Sequence, residues 1–548
     1  MPYPQGNPLK AIWGASSSDV WAIGDKGTSM HWDGANWTLF PMEAGPSSAH
    51  RVWGRSSTDA WAAGIGLQRW NGAAWSTIAS GPFTAMGAIV TPAVADYDVL
   101  AYHPTSATAG TIAWWHGSTS GTVTTVPQPA ANFIPVAFFG TSAEPFAMAA
   151  DSRLAKWTGS SWGVTPLGST HNFVAAAVID ATHVVAVEPN SVQFWDGVSY
   201  TTRPGLPTGN YDTVAARSFT DVWACAAGTC YHWDGAAWSS LAATPTALWI
   251  DPSGALWTAE ASSRVRVWNG SAWADKTVGT NTAQYVGGTA DTDLWAISPG
   301  GADGALHWDG VTWTSVPFPY GGYLIGDIWA LASNNVYVAA GVRLANGIAL
   351  HMLRWDGSTW TDSGSLGTIG DAISAPFMEF GFQSVWGSDA SNVYAATGAN
   401  SLWHNDGTGW STIPNKGGND VFGRTAGDVY VVGSGGLHHY DGADWTDIAP
   451  PGASNTGSIN SATDIWLGGA TNAYHFDGTF FVTLNKTGRP VGSATHMFLL
   501  DAETFHEWPT GFSGSTTSYP SLMGGVRSGW VSPSGRTYAA GAGLITHP

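Results

Sequence analysis

Apolar and polar residues alternate in short runs along nearly the whole chain, broken by turns rich in Gly, Ser, Asp and Asn. Alternation with a period of two over about four to six positions predicts half-buried β-strands. The clearest stretch is Ala11 to Phe40, AIWGASSSDVWAIGDKGTSMHWDGANWTLF. AIWG, VWAIG, TSMHW and NWTLF read as four antiparallel strands, and SSSD, DKG and Asp33-Gly34 as the turns between them. Asp-Gly between two apolar runs supplies the positive φ of a hairpin turn. The Asp of Ser-x-x-Asp-Val-Trp is expected to accept backbone amides and so hold the first hairpin.

This unit recurs. The passage from third to fourth strand returns as RWNGAAW from Arg69, KWTGSSW from Lys156, FWDGVSY from Phe194, HWDGAAW from His232 and VWNGSAW from Val267. Later copies are HWDGVTW from His307, RWDGSTW from Arg354, HYDGADW from His439 and HFDGTFF from His475. The second strand returns at Asp59-Ala60-Trp61, Asp221-Val222-Trp223, Asp293-Leu294-Trp295, Asp428-Val429-Tyr430 and Asp464-Ile465-Trp466. First strands return at Val52-Trp53-Gly54, Val385-Trp386-Gly387 and Val421-Phe422-Gly423.

Four short strands at a period of about forty residues is the sequence pattern of a β-propeller. The fold class is therefore all-β, with about fourteen four-stranded blades at that period. We expect two tandem seven-bladed propellers, residues 1–270 and 271–548, with one large closed ring as the alternative. The last unit, SGWVSPSGRTYAAGAGLITHP, stops after three strands. Residues 1–10 are thus expected to close the first ring beside Arg266 to Trp268, and Ser271 to Val278 to close the second against Gly543 to His547.

Composition narrows the function classes. Only 11% of residues are charged, while Gly (70) and Trp (33) are abundant, which suits an all-β protein and argues against long surface helices. The net charge of −19, without a basic stripe, argues against nucleic acid and against anionic membrane surfaces. No apolar run is long enough for a transmembrane helix, and MPYPQGNPLK has no signal-peptide apolar core. If the protein is exported, its signal is absent from this chain.

The two cysteines lie in Cys225-Ala-Ala-Gly-Thr-Cys230. With Ala227-Gly228 as a two-residue turn they face each other across a hairpin, which suits a cross-strand disulfide and an oxidising compartment. The alternative is two small buried thiols.

VWG, SDVWA and HWDG followed by Trp make the repeat resemble the Trp-rich propeller repeats of secreted or surface proteins of environmental bacteria. More distantly it resembles kelch, galactose-oxidase, tectonin and lectin propellers. The resemblance implies the propeller fold and leaves activity open. The matching residues are scaffold residues, so no functional residue carries over. The Tyr-Cys pair of a copper radical oxidase is not identifiable, and no cofactor is expected.

Candidate chemistry is sparse. His31, His232, His307, His439 and His475 share a slot that holds Arg69, Lys156 and Arg354 in other units. A slot open to His, Arg and Lys reads as a solvent-facing strand position rather than a metal site, and no metal is expected. The turn aspartates lack a dense oxygen cluster, and Asp96 with Asp98 and Asp291 with Asp293 are only slightly better calcium candidates. No Gly-x-Ser-x-Gly elbow has a strand–helix context.

The departures from the template are more informative. Links or loops are long at His103 to Gly110, Ser298 to Gly304, Val342 to Gly347, Pro317 to Gly326 and Gly364 to Phe382. Phe318, Tyr320, Tyr323, Arg343, Phe377, Met378, Phe380 and Phe382 lie there and are the candidate binding residues, packing in the ring being the alternative. The expected function is a non-enzymatic, secreted or cell-surface binding or structural protein, with a carbohydrate or a surface protein as partner. The alternative is a secreted enzyme acting on a polysaccharide or a small substrate at the propeller axis, drawing on distant carboxylates such as Glu260, Asp371 or Glu379.

Overall fold

A computed structural model describes residues 7–547 except 41, 43–48, 91–96, 118–120, 166–170, 278–282, 299–303, 320–321, 371–380, 434, 451, 493–495, 502–503, 510–516, 521–526 and 542–543. The described chain is β-structure apart from one 3-10 turn at Asp25–Gly27, and no helix is long and apolar enough to cross a membrane. The strands form fourteen antiparallel sheets in chain order, twelve of them four-stranded. The first blade runs Leu9–Ser16, Asp19–Gly24, Ser29–Trp32 and Trp37–Leu39, as the alternation predicts.

Two compact units divide the described chain, Asn7–Val278 and Gly279–Pro548. In each, the first strands of successive blades pack side by side, and the circle closes. In the first unit Leu9–Ser16 packs against both Arg51–Ser56 of the second blade and Pro245–Ile250 of the seventh. In the second, Tyr285–Ala290 of the eighth blade packs against both Tyr323–Ala332 of the ninth and Ser528–Val531 of the fourteenth. The protein is thus two seven-bladed propellers, consecutive along the chain, each with the first strand of every blade innermost.

Closure differs from the expectation. The edge beside Arg266 to Trp268 is taken by the blade's own fourth strand, Trp273–Asp275, with Trp268 opposite Trp273. Trp273–Asp275 is therefore not free to serve the second ring, and residues 1–6, 278 and 543 of the expected closures lie outside the described residues. The cause is local: Asn269 Oδ1 accepts the amides of Ser271 and Ala272, and Gly270 at φ +98° turns the chain straight into the fourth strand. The first ring instead closes by packing Leu9, Ile12 and Trp37 on Trp257 and Val267. Thr246 Oγ1 donates to Leu9 O (2.6 Å), Ser263 Oγ to Asn7 O (2.7 Å) and Trp37 Nε1 to Lys276 O (2.9 Å). In the second ring Asp291 accepts from Ser534 Oγ (2.5 Å) and Tyr538 OH (2.8 Å) across the closing seam.

Tryptophan holds neighbouring blades together. Trp21 is fully buried, with Trp70 and Trp75 of the next blade at ring distances of 5.3 and 5.4 Å. Trp295 meets Trp355 and Trp360 in the same way, at 5.6 Å each. Each such side chain buries on the order of 200 Å², which is why a sheet only four strands wide can be stable beside its neighbour. The cysteines are bonded: Cys225 lies directly opposite Cys230, with Cα atoms 4.0 Å apart, the close spacing of a pair not bridged by backbone hydrogen bonds.

Candidate functional site

The repeated charged positions come first, because they look most like chemistry. The histidine slot is not simply solvent-facing. His31 Nε2 is hydrogen-bonded to Asp19 Oδ1 (2.7 Å), and its ring lies 4.6 Å from Trp21. The same arrangement joins His232 to Asp221 and Trp223, His307 to Asp293 and Trp295, His439 to Asp428 and Tyr430, and His475 to Asp464 and Trp466. Arg69 fills it with Asp59 Oδ1 at 2.9 Å and its guanidinium over Trp61. The slot accepts His or Arg because either reaches the carboxylate while lying flat on the strand-two aromatic. Burial raises the Asp221 carboxyl, but His232 and Arg217 outweigh it and hold it below the ordinary range.

The carboxylate of Ser-x-x-Asp-Val-Trp therefore serves this pair rather than the first hairpin. That turn is held by hydroxyls: Ser16 Oγ accepts the Ser18 amide (3.3 Å), and Ser56 and Ser218 repeat the contact. The Asp-Gly turns also differ from a two-residue hairpin. Trp32 pairs with Trp37, leaving four residues in the loop; Asp33 Oδ1 accepts the amides of Ala35 (2.8 Å) and Asn36 (2.6 Å), and Gly34 alone takes the positive φ, +99°. Those amides hold the Asp33 carboxyl below its ordinary value.

No three of His, Cys, Asp and Glu converge as metal ligands among the described residues. Asp291 is committed to the closing seam, and Asp293 to His307 and Thr289. Asp98 is buried, accepting the Gly117 amide at 3.3 Å, and Asp96 lies outside the described residues. Glu260 pairs with Arg266, while Asp371 and Glu379 lie outside the described residues.

The most concentrated unshared chemistry lies on the axis of the second ring. A cavity of about 200 Å³ is lined by first strands of all seven blades and contains Asp327, Asp420 and Arg489. Arg489 Nη2 reaches from the thirteenth blade to Asp420 Oδ1 at 3.7 Å and Asp327 Oδ2 at 4.0 Å. Both carboxylates are buried. Burial pushes the Asp327 carboxyl up to about 6; the Asp420 charge adds to this and Arg489 opposes it.

These groups belong to a regular stitch. Ser384, Asp420, Arg489 and Ser528 each begin the first strand of a blade, and Asp327 holds the matching place within Tyr323–Ala332. Asp327 Oδ2 accepts the Val385 amide (3.3 Å), Ser384 Oγ the Val421 amide (3.2 Å), Asp420 Oδ2 the Gly457 amide (2.9 Å) and Ser528 Oγ the Val286 amide (3.2 Å). Each side chain thus satisfies an inner-strand N–H of the next blade, which has no sheet partner on the channel side. The sequence signal was present but unread: the residue just before Val-Trp-Gly or Val-Phe-Gly is polar in this half, at Ser384 and Asp420.

Of the expected binding residues, Tyr323 and Arg343 lie on the ninth blade and Phe318 packs on its Trp360. Its first three strands, Tyr323–Ala332, Asn335–Leu344 and Gly347–Trp355, have 10, 10 and 9 residues against 8, 6 and 4 in the first blade. The long loop expected at Val342 to Gly347 is instead a continued hairpin, with Leu344 opposite Gly347. Part of the expected link after Gly364 forms a fifth strand, Gly367–Gly370, paired with Gly347 to Leu350. The expected loops are strands here because Ile348 and Ile369 offer alternating apolar positions to one another.

Arg343 is exposed near the hairpin tip, beside the exposed Leu344. Tyr323 OH donates to Asp362 Oδ2 (2.5 Å), and His351 Nδ1 lies 2.9 Å from both oxygens of that carboxylate. Phe318 packs edge-on against Trp360 (5.1 Å). Phe382 is fully buried between Trp403 and Trp410, a packing position. Tyr320, Phe377, Met378 and Phe380 lie outside the described residues.

No protein-family model matches the chain, and no curated protein sequence does. Among solved structures it is similar to PorZ, a bacterial surface component of the type-IX secretion system of Porphyromonas gingivalis, at 10% identity and a TM-score of 0.58, over 100% of this chain and 86% of that one. It is also similar to the extracellular domain of a putative hybrid two-component system, BT4673, from B. thetaiotaomicron, at 10% identity and a TM-score of 0.38, over 99% of this chain and 82% of that one. The WD40 propeller domain of Doa1 matches at 12% identity and a TM-score of 0.41, over 49% of this chain and 95% of that one. At these identities the likeness is one of fold: the chain is a β-propeller repeat protein.

Proposed function

We propose that this is a non-enzymatic, extracellular or cell-surface binding protein that presents the ninth blade to a carbohydrate or a surface protein. The observation that carries the reading is that blade's departure from the template: a lengthened hairpin, backed by a fifth strand, with Arg343 and Leu344 exposed near its tip. A rigid scaffold with one irregular edge is where binding usually resides. The Cys225–Cys230 disulfide supports an oxidising, extracytoplasmic setting. The repeat's resemblance to tectonin and lectin propellers keeps sugars among the partners. The test is a glycan array and a cell-surface pull-down, run with the intact chain and with an Arg343→Glu, Leu344→Ser variant. Capture that the variant loses at an unchanged melting temperature supports the reading. Capture equal in both places the binding surface elsewhere.

One observation favours a second reading, an enzyme at the axis: two buried carboxylates flank a guanidinium in the second ring's cavity. Against it, both carboxylates are engaged by Arg489 and each accepts a backbone amide of the next blade, which gives them a structural role in the ring. Turnover of a polysaccharide panel that Asp420→Asn abolishes without lowering the melting temperature would favour the enzyme.

A further inference from the structure

The seam between the sixth and seventh blades of the first ring is not filled as the first seam is. There Phe40 wedges beside Trp21 (5.9 Å) and Trp70 (4.6 Å). Counting from the paired tryptophans, Trp32 opposite Trp37 and Trp233 opposite Trp238, the wedge position here is Leu241. A groove of about 360 Å³ remains, lined among others by Trp223, His232, Ser240, Leu241, Trp268 and Asn269.

Its chemistry is specific in kind. Trp268 stands half-buried on one blade, while Trp223 on the other is buried, with His232 stacked on its face. The rim is hydroxyl and amide, and none of the lining residues is Asp, Glu, Lys or Arg. His232 Nε2 is already held by Asp221 (2.9 Å). Asn269 replaces the usual turn aspartate: its Oδ1 takes the Ser271 and Ala272 amides (2.9 Å each), which leaves the Nδ2 hydrogens as donors that an aspartate would lack. The volume is at the low end of the roughly 300–1,000 Å³ of small-molecule sites.

We propose that this groove binds a neutral pyranose sugar, with the apolar C–H face of the ring on Trp268 and its hydroxyls on Asn269 and the rim serines. A neutral, flat, amphipathic ligand matches an aromatic wall beside an uncharged polar rim; an anion or a wholly apolar ligand does not. The site lies in the first ring, so it stands or falls separately from the role given to the ninth blade.

The test uses the full chain and methyl glycosides of glucose, galactose, mannose and fucose, titrated by calorimetry and by saturation-transfer NMR. Leu241→Phe installs the wedge seen at Phe40 and fills the groove without opening a cavity. Asn269→Asp keeps the turn acceptor, removes the donor and adds a negative charge, which a neutral sugar meets only through the lost hydrogen bond. At least one glycoside is expected to bind saturably, and each variant to weaken it about tenfold, the scale of one well-made contact. Melting curves of both variants are expected to match the parent. Failure of every glycoside to bind saturably overturns the proposal, as does saturable binding that neither variant weakens.

Discussion

Asp327→Asn offers the sharpest test of the axial arrangement. The Asp327 carboxyl is pushed up to about 6 from an ordinary value of 3.8, chiefly by burial. The folded chain therefore holds this proton more tightly than the unfolded one. Stability from this group is greatest below pH 3.8, falls as pH rises, and levels off above about 6. At about 1.4 kcal/mol per pH unit, the rise corresponds to roughly 3 kcal/mol lost between acid and neutral pH. An asparagine keeps an oxygen to accept the Val385 amide but carries no charge to bury. Arg489 loses one partner at 4.0 Å and keeps Asp420 at 3.7 Å, which offsets part of the gain. The variant should match or exceed the parent by about 1–2 kcal/mol at pH 7.5, because neutralising one member of a buried charge cluster removes a desolvation cost. Paired urea unfolding of both proteins at pH 4.5, 5.5, 6.5 and 7.5 reads this directly, since the first ring is common to both and cancels. A difference that stays flat across that range refutes the reasoning. So does a variant more than about 2 kcal/mol less stable at pH 7.5, which would mean the ion pair contributes more than burial costs.

Other expectations are simpler. Replacing both Cys225 and Cys230 by Ala should destabilise the first ring by about 2 kcal/mol, the chain-entropy value for so short a loop, and thiol titration of the unfolded parent without reductant should find no free thiol. Backbone amides hold Asp33, Asp234, Asp309 and Asp441 below their ordinary value of 3.8, so their contribution is complete above 3.8 and lost as pH falls below it. Asp309→Ala should accordingly lower the melting temperature at pH 7 more than at pH 2.5, and an equal loss at both would contradict the amide-capping role. Residues 1–278 and 279–548, expressed separately, are proposed to fold as independent domains, each with a cooperative melt; an uncooperative melt of either half would show that the rings depend on one another.

Most of the fold was legible because a propeller repeats its instructions. Trp21, Trp70 and Trp75 are large, evenly spaced and apolar, and such a pattern has few other ways to be buried. The cross-strand cysteines were readable for the same reason, since a two-residue turn determines which positions face each other. The roles of His31 and Asp19 were misread because a strand position open to His and Arg looks exposed, whereas here the side chain lies on an aromatic ring and ends on a carboxylate. The ninth blade was read as loops because its extension lacks the Trp and Asp-Gly marks of the repeat, and its strands are defined by pairing between Gly347 to Leu350 and Gly367 to Gly370.

Local sequence thus determined the template strands, where the turns fall, the four-strand blade and the count of about fourteen, since these depend on alternation and on residues a few places apart. Tertiary structure alone decided how each ring closes, which polar residues meet on the second ring's axis, and where a seam stays open. Asp327, Asp420 and Arg489 lie on three different blades, and Trp223 and Trp268 on two. What they do depends on distances across a closed ring, and no periodicity along a strand carries that information.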